Sequence, residues 1–147
     1  AGREGRAFLR NILSRRLGII LDQPQHMIVE NAISYSGGIP RVFLRLMADA
    51  GTYAKLQQKE WPEKEHLLDA IADSQESFQR ALLPGDVEAI KKAEGTSGVE
   101  LELDRKIRLM ARGILLERRQ DRRMFLSVHP LIFPSLNPIV QSVEQHA

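Results

Sequence analysis

Three sets of residues in this chain combine a reactive or charged chemistry with a suggestive spacing. The first is Arg41, directly behind Gly37-Gly38-Ile39-Pro40. Adjacent glycines can take the left-handed conformation that closes a helix. A proline suits the first turn of the next helix, where its missing N–H costs nothing. Arg41 therefore falls in a first helical turn, where the positive end of the helix dipole disfavours a cation. Such an arginine is either solvated or reaches an anion, and a guanidinium makes strong charge-assisted contacts with phosphate oxygens. The second set is Arg105, Lys106, Arg108 and Arg112, followed by Arg118, Arg119, Arg122 and Arg123. Within Glu102–Arg123 these eight cations face four anions. They can meet the phosphates and base edges of a duplex, or they can be the solvated faces of ordinary elements. The third set is Ser127 and His129, which alternate on an expected strand and so share a face. No third partner or oxyanion element accompanies them, so no hydrolase triad is read, and His129-Pro130 reads as a structural corner.

Several chemistries are excluded. The chain has no cysteine, which removes disulfides, thiolate metal ligands and cysteine nucleophiles and fits a cytosolic protein. His26, His66, His129 and His146 lie far apart without ligand spacing, so no metal site is expected. No Gly-x-x-x-x-Gly-Lys-Ser/Thr phosphate loop occurs, and Gly37-Gly38 does not replace one. Catalysis by this chain alone is not expected. No apolar run approaches a membrane span, and no signal peptide is visible, so the expected location is cytoplasmic. The start at Ala1-Gly2-Arg3, without methionine, suits a fragment or a processed chain.

The 147 residues suffice for one domain or two very small ones. Hydrophobic residues make up 43% and charged residues 27%, so a core can be built; aromatics are only 5%, which leaves Leu and Ile to fill it. The net charge of +2 is too small to imply a polyanionic partner. Its distribution says more, because Arg3, Arg6, Arg10, Arg15 and Arg16 near the start face only Glu4.

The elements that must position these groups follow from apolar periodicity. Helices are expected over Arg6–Leu21 (Phe8, Leu9, Ile12, Leu13, Leu17, Ile20), His26–Tyr35 (Ile28, Val29, Ala32, Ile33) and Ile39 to about Lys59 (Phe43, Leu46, Met47, Ala50, Tyr53, Ala54). Leu56 falls off the last stripe, and Trp61-Pro62 ends that helix. A long helix over Glu63–Leu83 stops at Pro84-Gly85. Asp86 is then expected to cap a short helix to Ala93. A further helix over Leu101–Arg112 carries Leu103, Ile107, Met110 and Ala111 as its apolar stripe, with Leu109 and Met110 assigned to the core. Ile114–Glu117 and Met124–His129 read as strands of a hairpin around a polar turn, Arg118–Arg123. A last helix is expected over Leu136–Gln145. Helix, short helix, helix and hairpin is the order of a winged helix-turn-helix, whose third helix lies in the recognition position.

Ala32 to Leu46, with its Ser36-Gly37-Gly38-Ile39-Pro40-Arg41 turn, resembles the small helical lid of AAA+ ATPases. Arg108-Leu109-Met110-Ala111-Arg112-Gly113-Ile114-Leu115-Leu116-Glu117 and Val128-His129-Pro130-Leu131-Ile132 resemble the winged helix that follows the lid in origin-recognition ATPases and in bacterial signalling ATPases of the STAND kind. The resemblance implies that Arg41 matches the sensor-2 arginine, which reaches the γ-phosphate of ATP held by a preceding nucleotide-binding domain. Arg45, one turn on, would support it. ATP and Mg are then implied for a larger protein, because the Walker motifs are absent from this chain and Arg41 is only half of a site.

The expected fold is mainly α: a small helical lid bundle over residues 1–62, then a winged helix-turn-helix with one β-hairpin over residues 63–147. The expected function is the non-catalytic C-terminal region of an AAA+-type ATPase. It would sense nucleotide through Arg41 and contact duplex DNA or a protein through the winged helix, with the cations of the second set as nucleic-acid contacts. An upstream nucleotide-binding domain is the implied partner, no membrane is involved, and an oligomer is compatible with this layout. The rival readings are a free-standing winged-helix nucleic-acid-binding protein and a structural interaction domain.

Overall fold

The computed structural model describes residues 2–136. Among them the architecture is mainly helical with one antiparallel hairpin, as expected. The chain forms two compact units that divide between Ser74 and Gln75. The boundary lies inside a helix because the start of that helix bonds back to the first unit. His66 there pairs with Gln57, and Asp73 with Tyr53.

The first unit contains α1 (Arg3–Leu17), α2 (Gln23–Tyr35), α3 (Pro40–Leu56) and the beginning of α4 (Lys64–Arg80). Helix α1 buries Leu9 and Leu13 and ends four residues short of the expected Leu21. Gly18 takes φ 66 and donates its N–H to the Ser14 carbonyl, which closes the helix and leaves Ile20 98% exposed. Helix α2 begins earlier than expected because Asp22 forms a capping box. Its Oδ1 accepts the Gln25 N–H at 2.8 Å, and Gln25 Oε1 accepts the Asp22 N–H at 3.0 Å.

Between α2 and α3, Gly37 and Gly38 take φ 63 and 78. Ser36 is buried there, with its hydroxyl donating to the Ile33 carbonyl at 2.7 Å and accepting the Gly38 N–H at 3.2 Å. Pro40 opens α3, whose buried Phe43, Leu46, Met47, Ala50 and Ala54 repeat the expected stripe. Burying a Phe or Leu of this kind contributes about 1.5–3 kcal/mol. The helix ends at Leu56, which is exposed, and Gln58 is left-handed at φ 58. At the start of α4, His66 is fully buried. Its Nδ1 accepts the Glu63 N–H at 2.9 Å, so Nε2 carries the proton and donates to Gln57 Oε1 at 3.0 Å.

The second unit contains the end of α4, α5 (Asp86–Ala93), α6 (Leu103–Ala111), β1 (Leu115–Gln120), β2 (Arg123–Val128), a 3₁₀ turn (Pro130–Ile132) and the short α7 (Phe133–Leu136). Its core joins Ile90 of α5, Leu109 of α6, Leu115, Leu126 and Val128 of the hairpin, and Ile132. Beyond Leu136, the helix expected over Leu136–Gln145 falls outside the described residues.

The hairpin is longer and its turn shorter than expected. Register runs from Leu115 opposite Val128 to Gln120 opposite Arg123, so only Asp121 and Arg122 turn, at φ 50 and 65. Two successive positive φ values match the twist of a two-residue hairpin. Arg118, Arg119 and Arg123 therefore lie on strands rather than in a polar turn. The loop after α5 also joins β2: the Gly95 N–H donates to the Leu126 carbonyl at 2.8 Å, and the Leu126 N–H to the Thr96 carbonyl at 2.7 Å. Gly98 in this loop lies so close to Leu126 that a Cβ would sit 2.4 Å from its Cδ1.

Candidate functional site

Arg41 is the second residue of α3 and is exposed. Its side chain makes no hydrogen bond or ion pair with any other described residue. Ile39, at the N-cap, supplies no side-chain acceptor, and the first turn contains no acidic residue. An uncapped helix start with a free guanidinium on it presents unsatisfied N–H groups and positive charge together. Arg45 does not join it. Its Nε lies 3.7 Å from Asp49 Oδ2, an exposed contact directed along the helix away from Arg41. Such pairs contribute little.

The expected nucleic-acid contacts separate into two groups. Arg105 and Arg108 turn inward onto Asp86, which is fully buried. Arg108 Nη2 lies 2.6 Å and Arg105 Nε 3.2 Å from Asp86 Oδ1, and the Leu83 N–H donates to Asp86 Oδ2 at 2.7 Å. Asp86 is therefore not the cap of α5. Gly85 holds that position at φ 82, and the carboxylate instead ties the α4–α5 turn to α6. Burial pushes the Asp86 carboxyl up. The Arg108 hydrogen bond, the Leu83 N–H and the charges of Arg108 and Arg105 outweigh it, so its pKa lies below that of ordinary aspartate. Lys106 Nζ donates to the Ser97 carbonyl at 3.3 Å. Of the four cations assigned to the third helix, only Arg112, at the C-cap, makes no side-chain hydrogen bond or ion pair with a described residue.

This inward turn reverses the expected orientation of α6. Leu109 is buried, but Leu103 is 67% and Ile107 57% exposed, and Ala111 is exposed too. Of the expected stripe, Leu103, Ile107 and Ala111 face outward, whereas Met110 packs on the core beside Leu109, as assigned. Helix α6 thus shows solvent an apolar strip formed by Leu103, Ile107 and Ala111.

The hairpin keeps its free cations. Arg119, Arg122 and Arg123 are exposed, and none forms an ion pair with a described residue. Arg118 Nε donates to Ser127 Oγ at 3.2 Å. That bond engages Ser127. His129 is buried, accepts the Leu131 N–H on Nδ1 at 3.2 Å and stacks on Phe78 with ring centres 4.9 Å apart. The pair is therefore used structurally, and His129 serves as the corner that starts the 3₁₀ turn.

Near the N-terminus, Arg6 and Arg10 both pair with Glu30, at 2.9 and 3.0 Å. Part of the first basic patch is thus internal to its unit. A cavity of about 650 Å³ lies between α5 and the start of α6, with Glu88, Lys92, Glu102 and Arg105 on its walls, a mixed set with no dominant sign. A second, of about 490 Å³, lies between the start of α2 and residues 59–64, against Trp61. Among the described residues no group of acidic or histidine side chains is arranged to hold a metal, and no helix is long and apolar enough to cross a membrane. Comparison with protein-family models, with curated proteins and with solved structures found no match.

Asp86 and the outward strip of α6 are the features that sequence reasoning missed. The signal for Asp86 was slight: an acid directly after Pro84-Gly85, with arginines one helix later.

Proposed function

We propose that this chain is the nucleotide-sensing and partner-contacting region of an AAA+-type ATPase. The observation that carries the reading is the state of Arg41: exposed, with no acidic residue in its helical turn, and set on the uncapped first turn of α3 by the Gly37-Gly38-Ile39-Pro40 stop. An arginine so placed has no ion-pair partner among the described residues and is suited to a phosphate delivered from outside. ATP and Mg belong to the upstream nucleotide-binding domain that the resemblance implies; the chain supplies one guanidinium to that site. The test is Arg41→Ala in the protein carrying that domain. Loss of a donor to developing phosphate charge should lower ATP hydrolysis at least about 10-fold with the fold unchanged. Hydrolysis at the wild-type rate rejects the sensor role.

A second reading rests on Arg119, Arg122 and Arg123, which leave the hairpin tip free to meet a polyanion. In it, the second unit contacts duplex DNA through the hairpin, with or without an attached ATPase. Binding that weakens steeply with salt supports this reading, and binding insensitive to salt rejects it.

A further inference from the structure

We infer that the outward strip of α6 is a self-association surface, on which α6 of a second copy of this chain packs antiparallel. The strip consists of Leu103, Ile107 and Ala111, spaced i, i+4 and i+8, which fall within about 80° of one helix face. Leu103 and Ile107 remain more than half exposed although α6 is otherwise well packed through Leu109. Two large aliphatic side chains held outward on a helix whose cations turn inward form a contact surface for another apolar face.

Charge decides what covers it. The helix begins in acid, with Glu102 and Asp104, and ends at the exposed cation Arg112, since Arg105 and Arg108 are engaged by Asp86. A parallel neighbour of the same sequence would set like charges together, whereas an antiparallel one sets each acidic end against a basic end. The antiparallel register that centres on Ile107 places Leu103 opposite the second copy's Ala111, a large side chain against a small one. The same register brings Asp104 beside the second copy's Arg112, on the flank that the two helices share. The exposed Arg112 side chain makes no hydrogen bond or ion pair with a described residue and is available for that pairing. The helix dipoles also run opposite ways in this arrangement. A duplex is a poor occupant, since the acidic start of α6 would face its phosphates. The resulting dimer is isologous, with the same patch contributed by both copies.

Sedimentation equilibrium of the full chain from micromolar to millimolar concentration tests the proposal. A monomer–dimer equilibrium is expected. Ile107→Asp should raise its dissociation constant at least about 10-fold, with the helical circular-dichroism spectrum and the melting temperature unchanged because the residue is exposed. Asp104→Lys and Arg112→Glu should each weaken association, and the double variant, which exchanges the charges of the two ends, should restore it. That restoration distinguishes antiparallel pairing from unspecific apolar adhesion. A chain that stays monomeric throughout overturns the proposal, whether the strip is covered by residues 137–147 or by a different protein. A dimer unaffected by Ile107→Asp overturns it as well.

Discussion

Arg108 and Asp86 meet at 2.6 Å across the gap between α6 and the start of α5, and the carboxylate that receives the guanidinium is completely buried. An arginine of α6 that the sequence offers as a nucleic-acid contact is thereby spent on internal order. One carboxylate holds two arginines and a backbone N–H. It fixes how α6 is rotated about its own axis and so which of its faces meets solvent.

Removing this carboxylate should be costly. Asp86→Ala leaves two arginines directed at an apolar hole and should destabilise the second unit by about 2–4 kcal/mol, discounted from a fully buried pair because both arginines are partly exposed. Urea unfolding followed by circular dichroism measures it. An unchanged midpoint would mean that the arginines find other partners without loss.

The same group makes stability depend on acid. The Asp86 pKa is lowered in the folded chain, so its contribution is fully present above the ordinary aspartate range. It is lost as pH falls through the lower folded value, where the unfolded chain binds the proton first. Asp86→Asn should flatten the acid limb of the melting temperature against pH. A wild-type acid limb in that variant would place the dependence on other carboxylates.

Gly98→Ala should cost about 1–3 kcal/mol, because the residue has φ 73 and its new methyl would collide with Leu126 of the core. Gly18→Ala is the control. It is left-handed at φ 66 but has nothing within 4 Å, so only the conformational cost of about 1 kcal/mol applies. Equal melting temperatures for the two variants would show that Leu126 moves aside freely.

At the hairpin, Arg122→Glu with Arg123→Glu should weaken duplex DNA binding and reduce the slope of log affinity against log salt by about one for each phosphate contact removed. Arg105→Ala should lower stability and leave that slope almost unchanged, since its guanidinium faces Asp86. If Arg105→Ala alters the slope more than the hairpin variant does, the assignment of contacts is reversed.

Tyr53 donates to Asp73 across the first unit. That hydrogen bond, then a little burial and the charge of Asp73, hold its phenol above the ordinary tyrosine range. In an alkaline titration followed by ultraviolet absorbance, Tyr53 should ionise at higher pH in the wild-type chain than in Asp73→Asn. Identical curves would mean that the pair does not form in solution.

The parts of the fold legible from sequence were those decided locally. The spacing of Phe43, Leu46, Met47, Ala50 and Ala54 admits one helix face, and Gly37-Gly38 with Pro40 marks one stop. Helix α6 is different. Leu103, Ile107, Leu109, Met110 and Ala111 spread apolar character over more than one side of a nine-residue helix, so periodicity cannot choose which side is buried. The choice is made by Asp86, distant in sequence, through Arg105 and Arg108. The hairpin turn was hidden for another reason: Asp121-Arg122 lacks the glycine that usually marks two positive φ values. His66 likewise has its partners in Gln57 and the Glu63 backbone, which no repeat in the sequence announces. For Arg41 the position was legible, but the phosphate it is proposed to meet comes from outside this chain.

The loop that zips Gly95 and Thr96 onto Leu126 has a consequence for the life of the chain in a crowded solution. A lone two-stranded sheet has two open margins, and each is a template on which another chain can add a strand. Here the margin of β2 is already occupied at Leu126 by the chain's own backbone. The margin of β1 runs past the charged Glu117, Arg118 and Arg119, and charged side chains along an edge discourage the addition of another strand. One side is sealed and the other defended, so the hairpin can hold its arginines out in water without seeding a fibril.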